Sequence, residues 1–101
     1  MIYLDNSATT QPYKEVLETF EKVSNQFYGN PSSLHKKGIE AERLVERARQ
    51  QIGDYLGVKP HEIVFTSGGT EGNNLAIKGT AFQYKQRGKH IITTEIEHPS
   101  S

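Results

Sequence analysis

Between residues 62 and 94 the hydropathy pattern changes period, and that change limits the fold more than any other feature of the chain. Ile63-Val64-Phe65-Thr66 is a short β-branched and aromatic run that stops at Ser67-Gly68-Gly69-Thr70, the pattern of a buried strand entering a turn. The spacing predicts a helix next, with Leu75, Ala76, Gly79 and Phe82 on one face and Gly88 as its stop; His90-Ile91-Ile92-Thr93-Thr94 then reads as a second strand. A helix between two such strands is the unit of a parallel sheet, which is stable only when both faces are covered. The expected class is therefore α/β.

Two helices precede this unit. Ile2 to Leu4 reads as a short strand, and the polar stretch Asp5 to Thr10 leads to Pro12, a residue suited to the first turn of a helix. Val16, Leu17, Phe20, Val23 and Phe27 then recur at helical spacing, predicting a helix over about 12–26. Tyr28-Gly29-Asn30-Pro31-Ser32-Ser33 breaks it, and the serines offer N-caps for a second helix over about 34–56. Leu34, Ala41, Val45, Ala48, Ile52 and Leu56 form the apolar stripe of that helix, Gly57 is its stop and Pro60 follows. The strand–helix unit is expected over about 63–86 and the last strand over about 90–94. All 101 residues are assigned to one partial domain.

Composition asks how much core this chain can build. Leu, Ile, Val and Phe make up 23 of 101 residues, just above the roughly 20% below which disorder becomes the better expectation. The last strand ends near Thr94 with no helix after it to cover the sheet, so the expectation is partial folding or a borrowed core. Lys and Arg number 12 and so do Asp and Glu, and the neutral balance gives no attraction to phosphodiesters or acidic membranes; no nucleic-acid partner is expected. The start carries no basic and apolar leader and no apolar run approaches the roughly 20 residues of a membrane span, which makes the cytoplasm the default compartment and no membrane the expectation. The absence of cysteine excludes disulfides, thiolate metal sites and a thiol nucleophile within these residues, so any sulfur chemistry needs a residue from elsewhere.

Three segments could carry chemistry. In Thr66-Ser67-Gly68-Gly69-Thr70-Glu71-Gly72-Asn73-Asn74 a strand meets a helix through two glycines that let ligand and backbone approach closely. The first-turn N–H groups and the helix dipole favour an anion there, with Ser67 and Thr70 as hydroxyl donors to a phosphate. The order of glycines matches neither a Walker A loop nor G-x-G-x-x-G, which disfavours a nucleotide. The competing reading is a plain capped turn with tolerated glycines. His98 stands just beyond the second strand, where open α/β sheets place their ligand crevice; it could stack on a ligand or shuttle protons, or be a loop histidine bonded to a carbonyl. Glu95, Glu97 and His98 lack any recognised metal-ligand spacing, and no metal is assigned. Gly29-Asn30-Pro31-Ser32-Ser33-Leu34-His35 is a rigid turn that could face a cleft or serve as ordinary loop chemistry, and Asp5 to Thr10 has the same two readings.

Taken in order, Tyr3-Leu4-Asp5-Asn6-Ser7-Ala8-Thr9-Thr10, the Gly29–His35 segment, Phe65 to Gly79 and Glu97-His98-Pro99 resemble the N-terminal part of cysteine desulfurases of the NifS/IscS type, pyridoxal-phosphate enzymes of the class V aminotransferase group. The resemblance spans essentially the whole chain. It implies the large domain of the aspartate-aminotransferase-like, fold type I transferases, with an incomplete sheet because the two strands seen here are separated in that fold by strands formed later in the chain. It implies pyridoxal 5'-phosphate as cofactor, with Gly69 and Thr70 on its phosphate and His98 stacked on its ring and assisting proton transfers. It further implies L-cysteine as substrate, L-alanine and an enzyme persulfide as products, a homodimer, and a sulfur-acceptor protein serving tRNA thiolation or iron–sulfur cluster assembly.

The resemblance also requires a Schiff-base lysine, an aspartate on the pyridinium nitrogen, a substrate-carboxylate arginine and a persulfide cysteine, none of which occurs here in matching context. Ser33-Leu34-His35-Lys36 imitates the lysine segment but lies in the loop motif, and Lys78 follows the phosphate turn; neither is assigned that role. The expectation is thus a desulfurase fragment inactive on its own, with one face of each helix exposed. The rival expectations are an interaction module that binds a full-length homologue, and a piece of another class V enzyme such as a selenocysteine lyase or an aminotransferase.

Overall fold

A computed structural model describes residues 1–100. The chain divides into two compact units, Met1–Ile63 and Val64–Ser101. In the first, Tyr3 clasps the polar stretch behind it. Its hydroxyl lies 3.1 Å from the Asp5 carbonyl, 3.0 Å from the Thr9 carbonyl and 2.5 Å from Thr9 Oγ1, while the Ala8 and Thr9 N–H groups both donate to the Asp5 carbonyl. The polar stretch is thereby closed on itself as a turn.

Helix α1 spans Lys14–Gln26. It starts two residues later than the spacing predicts, because Tyr13 is extended at φ −63°, ψ 149° and provides no side-chain cap. Helix α2 spans Lys36–Leu56, and its cap is His35, whose Nδ1 accepts from the Gly38 N–H at 3.2 Å. The serines expected to cap it are used one turn earlier: the Ser33 N–H donates to the Asn30 carbonyl and the Ser32 N–H to Asn30 Oδ1. Leu34 consequently falls before the helix and is 94% exposed instead of joining its stripe. This loop lies directly on the first turn of α2. A Cβ on Gly29 would run into the Lys37 carbonyl, and one on buried Gly38 into the carbonyls of Ser33 and Asn30.

The C-terminus of α2 follows the sequence closely. Gly57 is left-handed at φ 71°, ψ 28°, and the Val58 N–H to Gly53 carbonyl bond (2.9 Å) and Gly57 N–H to Asp54 carbonyl bond (3.3 Å) complete a Schellman motif. The chain then turns back on the helix as a 3₁₀ turn, Pro60–Glu62, which packs against α2. Gly53 makes this possible, since a Cβ there would stand 2.9 Å from the Val58 carbonyl oxygen. Arg49, oriented by Glu46 at 3.1 Å, donates from Nη1 to the Ile63 carbonyl and fixes the end of the unit.

The second unit holds α3, Gly69–Gln83, followed by a turn in which the Arg87 N–H donates to the Tyr84 carbonyl. Segment 88–91 returns along α3 and lines a shallow groove with Ala76, Thr80 and Tyr84. Helix α3 is apolar on opposite sides: Leu75 and Phe82 project away from Ile77 and Ala81. Such a helix is built to be covered all round.

No β-strand forms among the described residues, so the incomplete sheet and the strands expected at 2–4, 63–66 and 90–94 are not seen within them. The backbone at Ile63 is extended, at φ −97°, ψ 122°, yet no neighbouring segment supplies a ladder. A β-branched run takes extended angles by itself, but a strand exists only where a second one accepts its hydrogen bonds. The helical part of the expected architecture is present, with boundaries shifted inward.

Ala41 is the one buried apolar side chain among the described residues. In the first unit α1 and α2 do not pack directly; Val16, Thr19 and Val23 face Val45, Ala48 and Ile52 across open grooves. The chain exposes 9564 Å². Two separately folded units of these sizes, burying nothing between them, would expose roughly 6,900 Å². The helices have formed on local hydrogen bonds while their apolar stripes remain in water, as the thin composition led one to expect. No helix among the described residues is long and apolar enough to cross a membrane.

Candidate functional site

The glycine turn and His98 both belong to the second unit, so the site can be built within it. Gly68 caps α3 from an extended backbone and Gly69 is the first helical residue. At φ 165° Gly68 adopts a conformation open to any residue, and a Cβ on either glycine would meet nothing within 4 Å. Neither backbone angle nor packing within the chain calls for glycine here. What the two glycines provide is room in front of the first turn of α3, where N–H groups have no intrahelical acceptor and the dipole is positive.

The hydroxyls offered by the sequence divide. Ser67 Oγ donates to Glu71 Oε2 at 2.5 Å, and the Ser67 N–H donates to the same oxygen at 2.9 Å. The hydroxyl bond above all, then the N–H bond, holds the Glu71 carboxyl below the usual glutamate range. Ser67 is therefore engaged in capping, which corrects its expected part as a phosphate donor. Thr66 Oγ1 donates to the Gly68 carbonyl at 3.1 Å, and the Thr70 carbonyl accepts from Asn74 Nδ2 at 2.8 Å. The Thr70 hydroxyl has no partner among the described residues. Gly69 and Thr70 are thus the positions that present donors unpaired among the described residues at the turn, and the approach to them past the glycines is open.

His98 is tied to the same helix. Its Nδ1 lies 2.8 Å from Ser100 Oγ and accepts from the Ser100 N–H at 3.1 Å, and Ser100 Oγ accepts from Asn73 Nδ2 at 2.7 Å. Asn73 follows Gly69 by four residues, on the same face of α3. Three of the features singled out in the sequence, Gly69, Thr70 and His98, are in this way attached to one end of one helix. Among the described residues the ring is bonded to no carbonyl, unlike the ordinary loop histidine considered above. Glu97, beside it, accepts from Thr94 Oγ1 at 2.9 Å.

The other segments serve structure. His35 caps α2, Asn30 and Ser33 close the preceding turn, and Asp5 to Thr10 folds on Tyr3. Lys36 and Lys78 are exposed on α2 and α3. Sequence reasoning gave no role to Asn73 or Ser100. The legible signal is His98-Pro99-Ser100, where a fixed proline φ allows the N–H two residues on to return to the histidine ring.

Comparison with known proteins adds independent findings. Residues 2–101 match the family model described as aminotransferase class-V. Among curated proteins, the chain is 57% identical over 100 residues to a "NifS/IcsS protein homolog" of Lactobacillus delbrueckii subsp. bulgaricus, a match covering 99% of this chain and 26% of the relative. It is 50% identical over 97 residues to a cysteine desulfurase IscS of Dictyoglomus turgidum, covering 96% and 25%, and 49% identical over 98 residues to a cysteine desulfurase of Homo sapiens, covering 96% and 21%. A solved structure titled NifS-like protein superposes with a TM-score of 0.81 at 44% identity, over 94% of this chain and 26% of that one. The chain spans about a quarter of the length of these relatives.

Proposed function

This chain belongs to the class V aminotransferase family, and from that premise we propose that it supplies the phosphate-binding and ring-facing part of a cysteine desulfurase. The single observation that carries the reading is the match of 96% of this chain, at 49–50% identity, to proteins named cysteine desulfurase. In this reading the first-turn N–H groups and hydroxyl at Gly69 and Thr70 hold the phosphate of pyridoxal 5'-phosphate, and His98 lies against its ring. The open space before Gly68 and Gly69 and the unpaired Thr70 hydroxyl support the fit.

When bound, pyridoxal 5'-phosphate supplies an electron sink for the carbon bearing the amino group of L-cysteine. The residues of this chain orient and polarise. The positive end of α3 would neutralise the phosphate, the glycines would admit it to the first-turn N–H groups, and His98 would lie against the ring with Nε2 available to hold a proton. The overall exchange is L-cysteine plus an enzyme thiol giving L-alanine plus an enzyme persulfide. No cysteine lies in this sequence, so that thiol, like the Schiff-base lysine, is proposed to come from outside these residues. The α/β sheet of the fold type I large domain, a homodimer and a sulfur-acceptor protein belong to the same proposal; the unpartnered stripes of α1, α2 and α3 support it.

A chimera tests the function. Residues 2–101 replace the matching segment of the Lactobacillus relative, and the purified product is assayed for bound cofactor and for alanine formed from L-cysteine. Cofactor uptake with alanine formation at a rate near the parent's is expected, with loss of cofactor in Thr70→Val and loss of turnover at retained cofactor in His98→Ala. A chimera that takes up the cofactor but forms no alanine sinks the desulfurase reading.

A further inference from the structure

We propose that Ser100 and Asn73 are positioning residues that fix the His98 ring in a single tautomer and anchor it to α3. The Ser100 backbone N–H can only donate, so His98 Nδ1, which receives it at 3.1 Å, bears no proton. The neutral ring therefore carries its proton on Nε2. With Nδ1 unprotonated, Ser100 Oγ at 2.8 Å is the donor to that nitrogen, which leaves its lone pairs to accept from Asn73 Nδ2 at 2.7 Å. In this assignment all three contacts are satisfied together: Asn73 Nδ2 donates to Ser100 Oγ, and the Ser100 hydroxyl and N–H both donate to the lone pair of His98 Nδ1.

Pro99 makes the arrangement local. Its ring restricts the backbone between histidine and serine, so the Ser100 N–H and Oγ arrive at Nδ1 together, and the half-buried Ser100 links loop to helix. The outcome is a histidine whose inner edge is fully engaged and whose outer edge presents one N–H. The bearing of this on catalysis rests on the proposed placement of His98 against a cofactor ring, where a fixed tautomer means that the proton is offered from Nε2. The relay itself requires no cofactor.

The test uses the ¹⁵N-labelled chain without ligand, with ring nitrogens read by long-range ¹H–¹⁵N correlation at alkaline pH. His61 and His90, which have no ring hydrogen bond among the described residues, are the internal references. The ratio of Nε2–H to Nδ1–H tautomer at His98 should exceed theirs by about two- to ten-fold, the effect of one retained hydrogen bond. Ser100→Ala should bring the ratio down toward the reference value, Ser100→Thr should keep it, and Asn73→Ala should lower it in part. A His98 ratio equal to the references in the unaltered chain overturns the proposal, as does a threonine variant that behaves like alanine. Because no cofactor is present, a chain that shows the relay while the chimera forms no alanine retains this inference and loses only the proposed function.

Discussion

Gly69→Ala separates what the chain needs for folding from what a ligand needs. The added Cβ meets nothing within 4 Å, and residue 69 is already helical, so no clash or strain opposes it. Removing a glycine from a helix then stabilises α3 by about 0.4–1 kcal/mol through the unfolded state, a two- to five-fold shift in its helix–coil ratio. A phosphate drawn up to the first-turn N–H groups meets that Cβ at once. Losing one hydrogen bond to a charged group costs about 1.5–3 kcal/mol, or roughly ten- to 150-fold in affinity. Far-UV circular dichroism on the chain should show helicity unchanged or raised, while the chimera carrying Gly69→Ala should lose its pyridoxal 5'-phosphate on dialysis. Gly38→Ala is the control of opposite sign: its Cβ would fall 2.6 Å from the Asn30 carbonyl oxygen and 2.8 Å from Ser33 Cβ, costing about 1–3 kcal/mol with no direct effect on phosphate. Undiminished cofactor retention in Gly69→Ala would refute the reasoning, since nothing else in the chain accounts for glycine at that position.

Three further outcomes are expected. Because Ser67 holds the Glu71 carboxyl below its ordinary range, the cap contributes above the ordinary glutamate value and is lost as pH falls through the lowered one; Ser67→Ala, which keeps the backbone N–H bond, should move the Glu71 titration, followed by carboxyl NMR, up toward the ordinary range, and an unmoved titration would count against the contact. Gly57→Ala should destabilise the end of α2 by about 1–2 kcal/mol from the left-handed φ alone, with Gly57→Asn milder, read as faster exchange of the Val58 amide; equal rates for alanine and glycine would exclude torsional strain as the cause. Arg49→Met keeps the alkyl stem but removes the donor to the Ile63 carbonyl, and exchange of the Ile63 amide, bonded to the Pro60 carbonyl, should rise several-fold for a partly exposed charged hydrogen bond of about 1 kcal/mol.

What the sequence made legible is what short-range physics decides. Gly57 stops α2 because only a left-handed residue closes the Schellman motif, and that signal survives in any context. Val16, Phe20 and Val23 mark α1 although nothing covers them, since helical hydrogen bonds are internal to the segment. A serine would cap α2 only if the helix began earlier; with the Ser32 and Ser33 N–H groups turned onto Asn30, the helix starts at Lys36 and the cap position falls on His35, whose ring accepts from Gly38. The runs at 63–66 and 90–94 carry strand residues and no strand, because the partner that would accept their hydrogen bonds is not specified by the run itself. At the site, the glycines and His98 stood out by composition, whereas Asn73 and Ser100 acquire meaning only when 27 residues of chain bring them to one contact.

The glycines sort the remaining question. Gly29, Gly38 and Gly53 are required by carbonyl groups of this chain that lie where their Cβ atoms would be, and Gly57 by its positive φ. Gly68, Gly69, Gly79 and Gly88 answer to neither cause; the first two stand at the start of α3, and Gly79 shares its side with Leu75 and Phe82, which are exposed to solvent. A glycine at the start of a helix that meets nothing within the unit leaves its backbone open to approach from beyond it. These open positions acquire a purpose in the proposed function: the glycine turn would admit a phosphate, and the exposed Leu75 and Phe82 side of α3 would meet a layer that a complete α/β domain lays against it.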